Sequence, residues 1–96
     1  MEQFFENWDA DIEDPLKDKK TLYQALIDKL NENSDNVELY WRLVKACLVV
    51  ADSFEKVKNK IEARKYTEES LKYAKKAVEL GANSLEAHKW YVHSQI

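Results

Sequence analysis

An all-α fold of antiparallel helical hairpins is predicted by three observations on these 96 residues: a single Gly, a single Pro, and apolar residues that recur at helical spacing. Strand-rich folds need many turns, and a chain with only Gly81 and Pro15 cannot supply them. The balance of 45% apolar against 34% charged residues fits a helical domain with a core and a solvated exterior. About four to five helices are expected on this reading.

Residues 1–15 form an acidic N-terminal segment. Its first 14 residues carry six acids (Glu2, Glu6, Asp9, Asp11, Glu13, Asp14) and no base. Phe4, Phe5, Trp8 and Ile12 fall on one helical face, so a short amphipathic helix folded onto the domain is the plain reading. An acidic stretch with two adjacent phenylalanines also resembles, loosely, the short linear motifs that bind endoplasmic-reticulum tethering proteins. Residues 16–96 read as one helical domain, expected to be incomplete at its C-terminus.

Between Lys17 and Glu32, Leu22, Tyr23, Leu26, Ile27 and Leu30 make the apolar stripe of an amphipathic helix. The polar cluster Asn31 to Asn36 ends it and offers Asn36 as N-cap of the next helix, with Ser34 or Asp35 as alternatives. From Val37 to Phe54, thirteen of eighteen residues are apolar, and Glu38, Arg42, Lys45 and Asp52 share one narrow stripe. A helix apolar on most of its circumference must be covered from more than one side, so this is the expected central helix, intolerant of a lysine at Val44 or Leu48.

Residues 55–65 keep Val57 and Ile61 four apart among charges, and either extend that helix or connect it to the next. Helical spacing returns from Tyr66 to Leu80, and Gly81 is expected just past its end, where a positive φ is least costly. Asn83 or Ser84 would cap a last helix from Leu85, whose Ala87, Trp90, Tyr91 and Ile96 need a partner.

The string N-V-E-L-Y-W-R-L-V from Asn36 is echoed 48 positions later by S-L-E-A-H-K-W-Y-V from Ser84, with K-A-V-E-L-G-A-N-S between them. This resembles the tetratricopeptide pattern, whose period is about 34 residues, so a long first helix and an insertion near residues 52–65 are expected. N-V-E-L-Y-W-R-L-V-K-A at Asn36–Ala46, Y-A-K-K-A-V-E-L at Tyr73–Leu80 and A-H-K-W-Y at Ala87–Tyr91 are similar to the regulator of microtubule dynamics family, over roughly Leu16 to Tyr91. The resemblance implies a tetratricopeptide-like fold and a non-enzymatic, microtubule-associated role at spindles.

No phosphate-binding glycine loop, C-x-x-C pair or H-E-x-x-H motif occurs, so no cofactor, metal or catalytic residue is expected. His88 and His93 are five apart and diverge on a helix. Cys47, the single cysteine, reads as a small core residue, and Glu68 and Glu69 as solvated acids. Cytoplasmic residence is expected from the lone cysteine and the lack of an apolar leader; the longest apolar run, Ala46–Ala51, is far short of the roughly 20 residues of a membrane span.

Net charge is −3, yet residues 56–76 carry eight bases against three acids. Lys56, Lys58, Lys60, Arg64, Lys65, Lys72, Lys75 and Lys76 are therefore the candidate partner-binding residues, with a merely solvated helix face as the plain alternative. Combined with the family resemblance, they point to tubulin or microtubules, especially acidic tubulin tails. Arg42 and Lys89, beside Trp41, Trp90 and Tyr91, are the candidates for the lip of a peptide-binding groove, the competing reading. An organelle-tethering role is suggested only by relatives of the family. No nucleic acid or membrane insertion is expected, and an uncovered last helix would favour a dimer.

Overall fold

The computed structural model describes residues 1–81 and Lys89. Among the described residues the chain forms α1 (Glu2–Ile12), α2 (Lys19–Glu32), α3 (Val37–Lys56) and α4 (Lys60–Leu80), with no strand.

The acidic segment is a helix, and it closes over the domain: Trp8 and Ile12 are buried in the main core and Phe4 and Phe5 pack against it. The Trp8 indole Nε1 donates to the carbonyl of Leu22 at 3.0 Å, which pins α1 to α2 and satisfies the one polar atom of a buried ring. At the C-terminal end of α1 the Lys19 ammonium donates to the carbonyls of Ile12 (2.9 Å) and Asp14 (2.6 Å). A cation there complements the negative end of the helix dipole.

α2 starts two residues later than its apolar stripe suggests because Asp18 caps it: its carboxylate accepts from the Lys20 N–H at 3.1 Å and from the Thr21 hydroxyl at 3.0 Å. Asn36 is the cap of α3, accepting from the Glu38 N–H at 2.9 Å. Ser34 serves differently, its carbonyl receiving the Tyr40 hydroxyl at 2.7 Å.

α3 is the central helix, with ten buried residues distributed around its circumference from Leu39 to Ala51. Its most extensive packing is on α4, then on α2. The buried positions of α4 are all small, Ala63, Ser70, Ala74 and Ala77, so the two backbones approach closely as an antiparallel hairpin. Residues 52–65, where an insertion is expected, are helical on both sides of a short turn, since α3 has 20 residues, α4 has 21, and residues 57–59 alone join them; the second repeat start expected from Ser84 lies outside the described residues.

That turn resolves the ambiguity of residues 55–65. The Asn59 N–H returns to the Phe54 carbonyl (2.8 Å) and the Lys58 N–H to the Glu55 carbonyl (2.9 Å), the paired bonds of a Schellman motif. Such a motif needs a left-handed residue after the cap, and Lys58 supplies it with φ 60°. The positive φ expected at Gly81 is not there: Gly81 has φ −132°, and its N–H bonds to the Ala77 carbonyl at 2.9 Å without entering the left-handed region. Lys58→Gly is accordingly expected to stabilise the fold by about 1 kcal/mol, because glycine adopts this φ without a Cβ clash. A higher urea midpoint at unchanged slope would report it.

Candidate functional site

The site candidates follow from which side of α4 faces the core. At about 100° per residue, the direction opposite Ala63, Ser70, Ala74 and Ala77 is occupied by Ile61, Lys65, Glu68, Lys72, Lys75, Lys76 and Glu79. Arg64 and Lys60 flank this stripe, and Lys56 and Lys58 extend it around the α3–α4 turn. All eight basic residues singled out in the sequence are exposed. Glu68 and Glu79 interrupt the stripe without balancing it, so the outer surface of the hairpin is net cationic. One of the eight, Lys56, pairs with Asp52 at 3.1 Å, an exposed i, i+4 contact of small energy.

Two shallow depressions subdivide this surface. Near the turn, Lys58, Lys60 and Arg64 border one together with Glu55, Ile61 and Glu68. At the other end, Lys72, Lys75 and Lys76 border a second, whose floor includes Leu30, Tyr40 and Tyr73. Twelve residues of helix separate Lys60 from Lys72, or roughly 18 Å. The turn end also carries the conspicuous exposed apolar side chains of the hairpin, Val57 at 71% and Ile61 at 83% exposure.

Arg42 is placed otherwise than as a groove lip. Its side chain is 6% exposed, and its Nε and Nη2 donate to the two carboxylate oxygens of Asp9, both at 2.8 Å. Nη1 donates to the Glu38 carbonyl at 3.0 Å, and the guanidinium lies over the rings of Phe5 (4.1 Å) and Trp41 (4.2 Å). This is a clamp between α1 and α3. Next to it, Lys45 donates to Glu13 at 2.8 Å, and that hydrogen bond and charge hold the Glu13 carboxyl below the usual carboxylate range. Lys89 is exposed. Trp90, Tyr91, His88, His93 and the expected last helix with its cap lie outside the described residues.

The two adjacent acids of α4 separate in role. Glu68 is exposed, whereas Glu69, expected to be solvated, accepts the Tyr23 hydroxyl at 2.7 Å and joins α4 to α2. Burial and this carboxylate push the Tyr23 phenol well above its ordinary range, so the proton stays on the tyrosine. The Tyr23 ring meets Tyr66 edge-on at 5.5 Å, and Tyr66 stacks on Phe54. Cys47 is fully buried, and burial pushes its thiol up, as befits an inert core residue. Among the described residues, no three His, Cys, Asp or Glu side chains converge as a metal site, and no helix is long and apolar enough to cross a membrane.

The clamp is what sequence reasoning missed. Its signal was present as complementary spacing: Asp9 on α1 and Glu13, the residue that caps its C-terminus, are four apart, and Arg42 and Lys45 are three apart on α3.

The family described as Regulator of microtubule dynamics protein 1-3 matches residues 4–94, a span that begins within α1 and takes in the whole hairpin. Proteins named Regulator of microtubule dynamics protein 1 from Pongo abelii, Mus musculus and Bos taurus are each 39% identical to this chain over 70 residues. The alignment covers 73% of the chain and 21%, 22% and 21% of those three proteins, so the chain spans about a fifth of their length. No solved structure matches.

Proposed function

This chain belongs to the regulator of microtubule dynamics family, and from that premise we propose that it is a non-enzymatic interaction module that binds microtubules through the cationic outer surface of the α3–α4 hairpin. The observation that carries the reading is the exposure of Lys56, Lys58, Lys60, Arg64, Lys65, Lys72, Lys75 and Lys76, six of them on the outward side or flank of α4. Clustered cations attract an acidic surface over about a Debye length, roughly 8 Å at physiological salt. The acidic tails of tubulin are the partner of matching charge, and binding there would influence microtubule dynamics at the spindle in the cytoplasm.

Adaptor binding of a peptide near Arg42 is the competing reading, and it is less well supported. The guanidinium that would greet an incoming carboxylate already holds Asp9 in both of its outward hydrogen bonds, so a peptide would first have to lift α1. A tethering role for the acidic N-terminal helix meets the same obstacle, because Phe5 and Trp8 face inward.

Microtubules with and without their acidic tails separate these possibilities. The 96-residue chain is expected to pellet with intact microtubules at low salt and to lose most of that binding when the tails are removed. Equal pelleting on both would place recognition away from the cationic surface.

A further inference from the structure

The depression bordered by Lys72, Lys75 and Lys76 differs in kind from the one at the turn, because its floor comes from three helices. Leu30 of α2, Tyr40 of α3 and Tyr73 of α4 supply that floor, and each belongs to the main core or packs against it, so its shape is fixed by the fold. The two rings stand 6.2 Å apart at 42°. The Tyr40 hydroxyl is held by the Ser34 carbonyl at 2.7 Å, and the surface inside the depression is mainly apolar. Its volume of about 290 Å³ lies at the lower end for ligand sites, roughly 300 Å³, which suits one bulky side chain and not a whole helix.

Charge around this floor is one-sided. The lining carries three ammoniums and one carboxylate, Glu79. Among the described residues, none of Lys72, Lys75 and Lys76 forms an ion pair, although Glu79 follows Lys75 by four residues and Lys76 by three; Lys45 and Lys56, by contrast, are paired. Of the acids nearby, Glu69 already accepts the Tyr23 hydroxyl, and Lys29 and Glu32 in the last turn of α2 offset each other. Burial together with Asp35, in the α2–α3 loop, pushes the Tyr40 phenol up, which marks Asp35 as a second acid close by. The lysines remain in excess, and three unpaired cations beside a fixed aromatic floor match a ligand that brings carboxylates and a ring together.

Resting on the microtubule-binding reading above, we infer that this depression is the docking point for an acidic peptide segment: one aromatic side chain of the segment sits on Leu30, Tyr40 and Tyr73 while flanking carboxylates pair with Lys72, Lys75 and Lys76. A ring placed there gains the kind of tilted contact that Tyr40 and Tyr73 already make with each other, and its burial is insensitive to moderate salt, whereas the attraction between ammonium and carboxylate is screened. Charge alone would let an acidic chain slide along the whole stripe; the ring fixes one register. The depression at the turn has no such floor, and its lining holds two acids, Glu55 and Glu68.

The test is nuclear magnetic resonance titration of the nitrogen-15-labelled full chain with two synthetic peptides, a run of glutamates with phenylalanine at its centre and the same run with alanine there, and microtubule co-sedimentation in parallel. The phenylalanine peptide is expected to bind about tenfold more tightly and to shift the amides of Leu30, Tyr40 and Tyr73. Changing Lys72→Glu, Lys75→Glu and Lys76→Glu together should remove that binding, while Lys58→Glu, Lys60→Glu and Arg64→Glu together should leave the tenfold preference intact. All six positions are exposed, so both variants keep the fold, which circular dichroism will show. Equal affinity for the two peptides, from a wild type that pellets with microtubules, would overturn the docking point and leave charge-driven binding standing. Shifts confined to the turn, or loss of the preference in the turn variant, would overturn it as well. Phosphatidylserine vesicles that shift the floor amides where the phenylalanine peptide does not would assign the depression to a membrane surface, against the proposal. Preference for the phenylalanine peptide without any pelleting would support the docking point and overturn the microtubule reading instead.

Discussion

Alanine at Arg42 is expected to destabilise the protein by about 3 kcal/mol, at the low end of the range for breaking a buried ion pair. Three losses combine. The bidentate hydrogen bond to Asp9 disappears, the Glu38 carbonyl loses its side-chain donor, and the rings of Phe5 and Trp41 lose the guanidinium packed over them. The cost stays at the low end because the orphaned carboxylate has somewhere to go: the Asp9 side chain is 43% exposed and can turn to water, whereas Arg42 is 6% exposed. Arg42→Met, which retains the apolar stem, should cost distinctly less. Urea unfolding followed by far-ultraviolet circular dichroism gives both numbers, and limited proteolysis in the segment between α1 and α2 should accelerate in the alanine variant as α1 loosens. A cost below about 1 kcal/mol would reduce the clamp to the rank of a surface ion pair.

Lysine at Val44 is expected to abolish cooperative folding. Val44 is fully buried on the central helix, and an ammonium placed there without a partner costs several kcal/mol, comparable to the roughly 5–15 kcal/mol that hold a whole domain together. Lysine at Leu48 should behave differently from the sequence-based expectation that put the two positions on a par. Leu48 is half-buried, so a lysine stem can lie along the apolar surface with its charge in water, at a cost of about 1–2 kcal/mol. Thermal unfolding of the two variants side by side measures the difference. A well-folded Val44→Lys protein would mean that α3 is not the core helix.

The helices were legible because each carries its own local signal. Leu22, Leu26 and Leu30 repeat with helical period, Asn36 caps α3, and the density of apolar residues from Val37 to Phe54 marks that helix as central. The features left obscure in the sequence depended on contacts between helices. The α3–α4 boundary lacked a glycine or proline to announce it, since Lys58 takes the left-handed place that glycine usually fills, while Gly81 needs no positive φ. Arg42 has the composition of a surface ligand, and only the approach of Asp9, 33 residues earlier, removes it from the surface. Glu69 likewise looks solvated until Tyr23 of α2 is placed against it. The run of basic residues was readable as composition, and the exposure of its members on α4 follows from the small, core-facing residues that fix the opposite side of that helix.

Charge reversal on that stripe decides between a binding surface and a solvated helix face. Lys72, Lys75 and Lys76 are all exposed, so changing the three to Glu leaves the fold intact, which circular dichroism can verify. Microtubule co-sedimentation of wild type and this variant at low and physiological salt should show salt-sensitive pelleting by the wild type and little or none by the variant. Equal pelleting of the two folded proteins at both salts would contradict a role for the basic surface of α4 in the interaction.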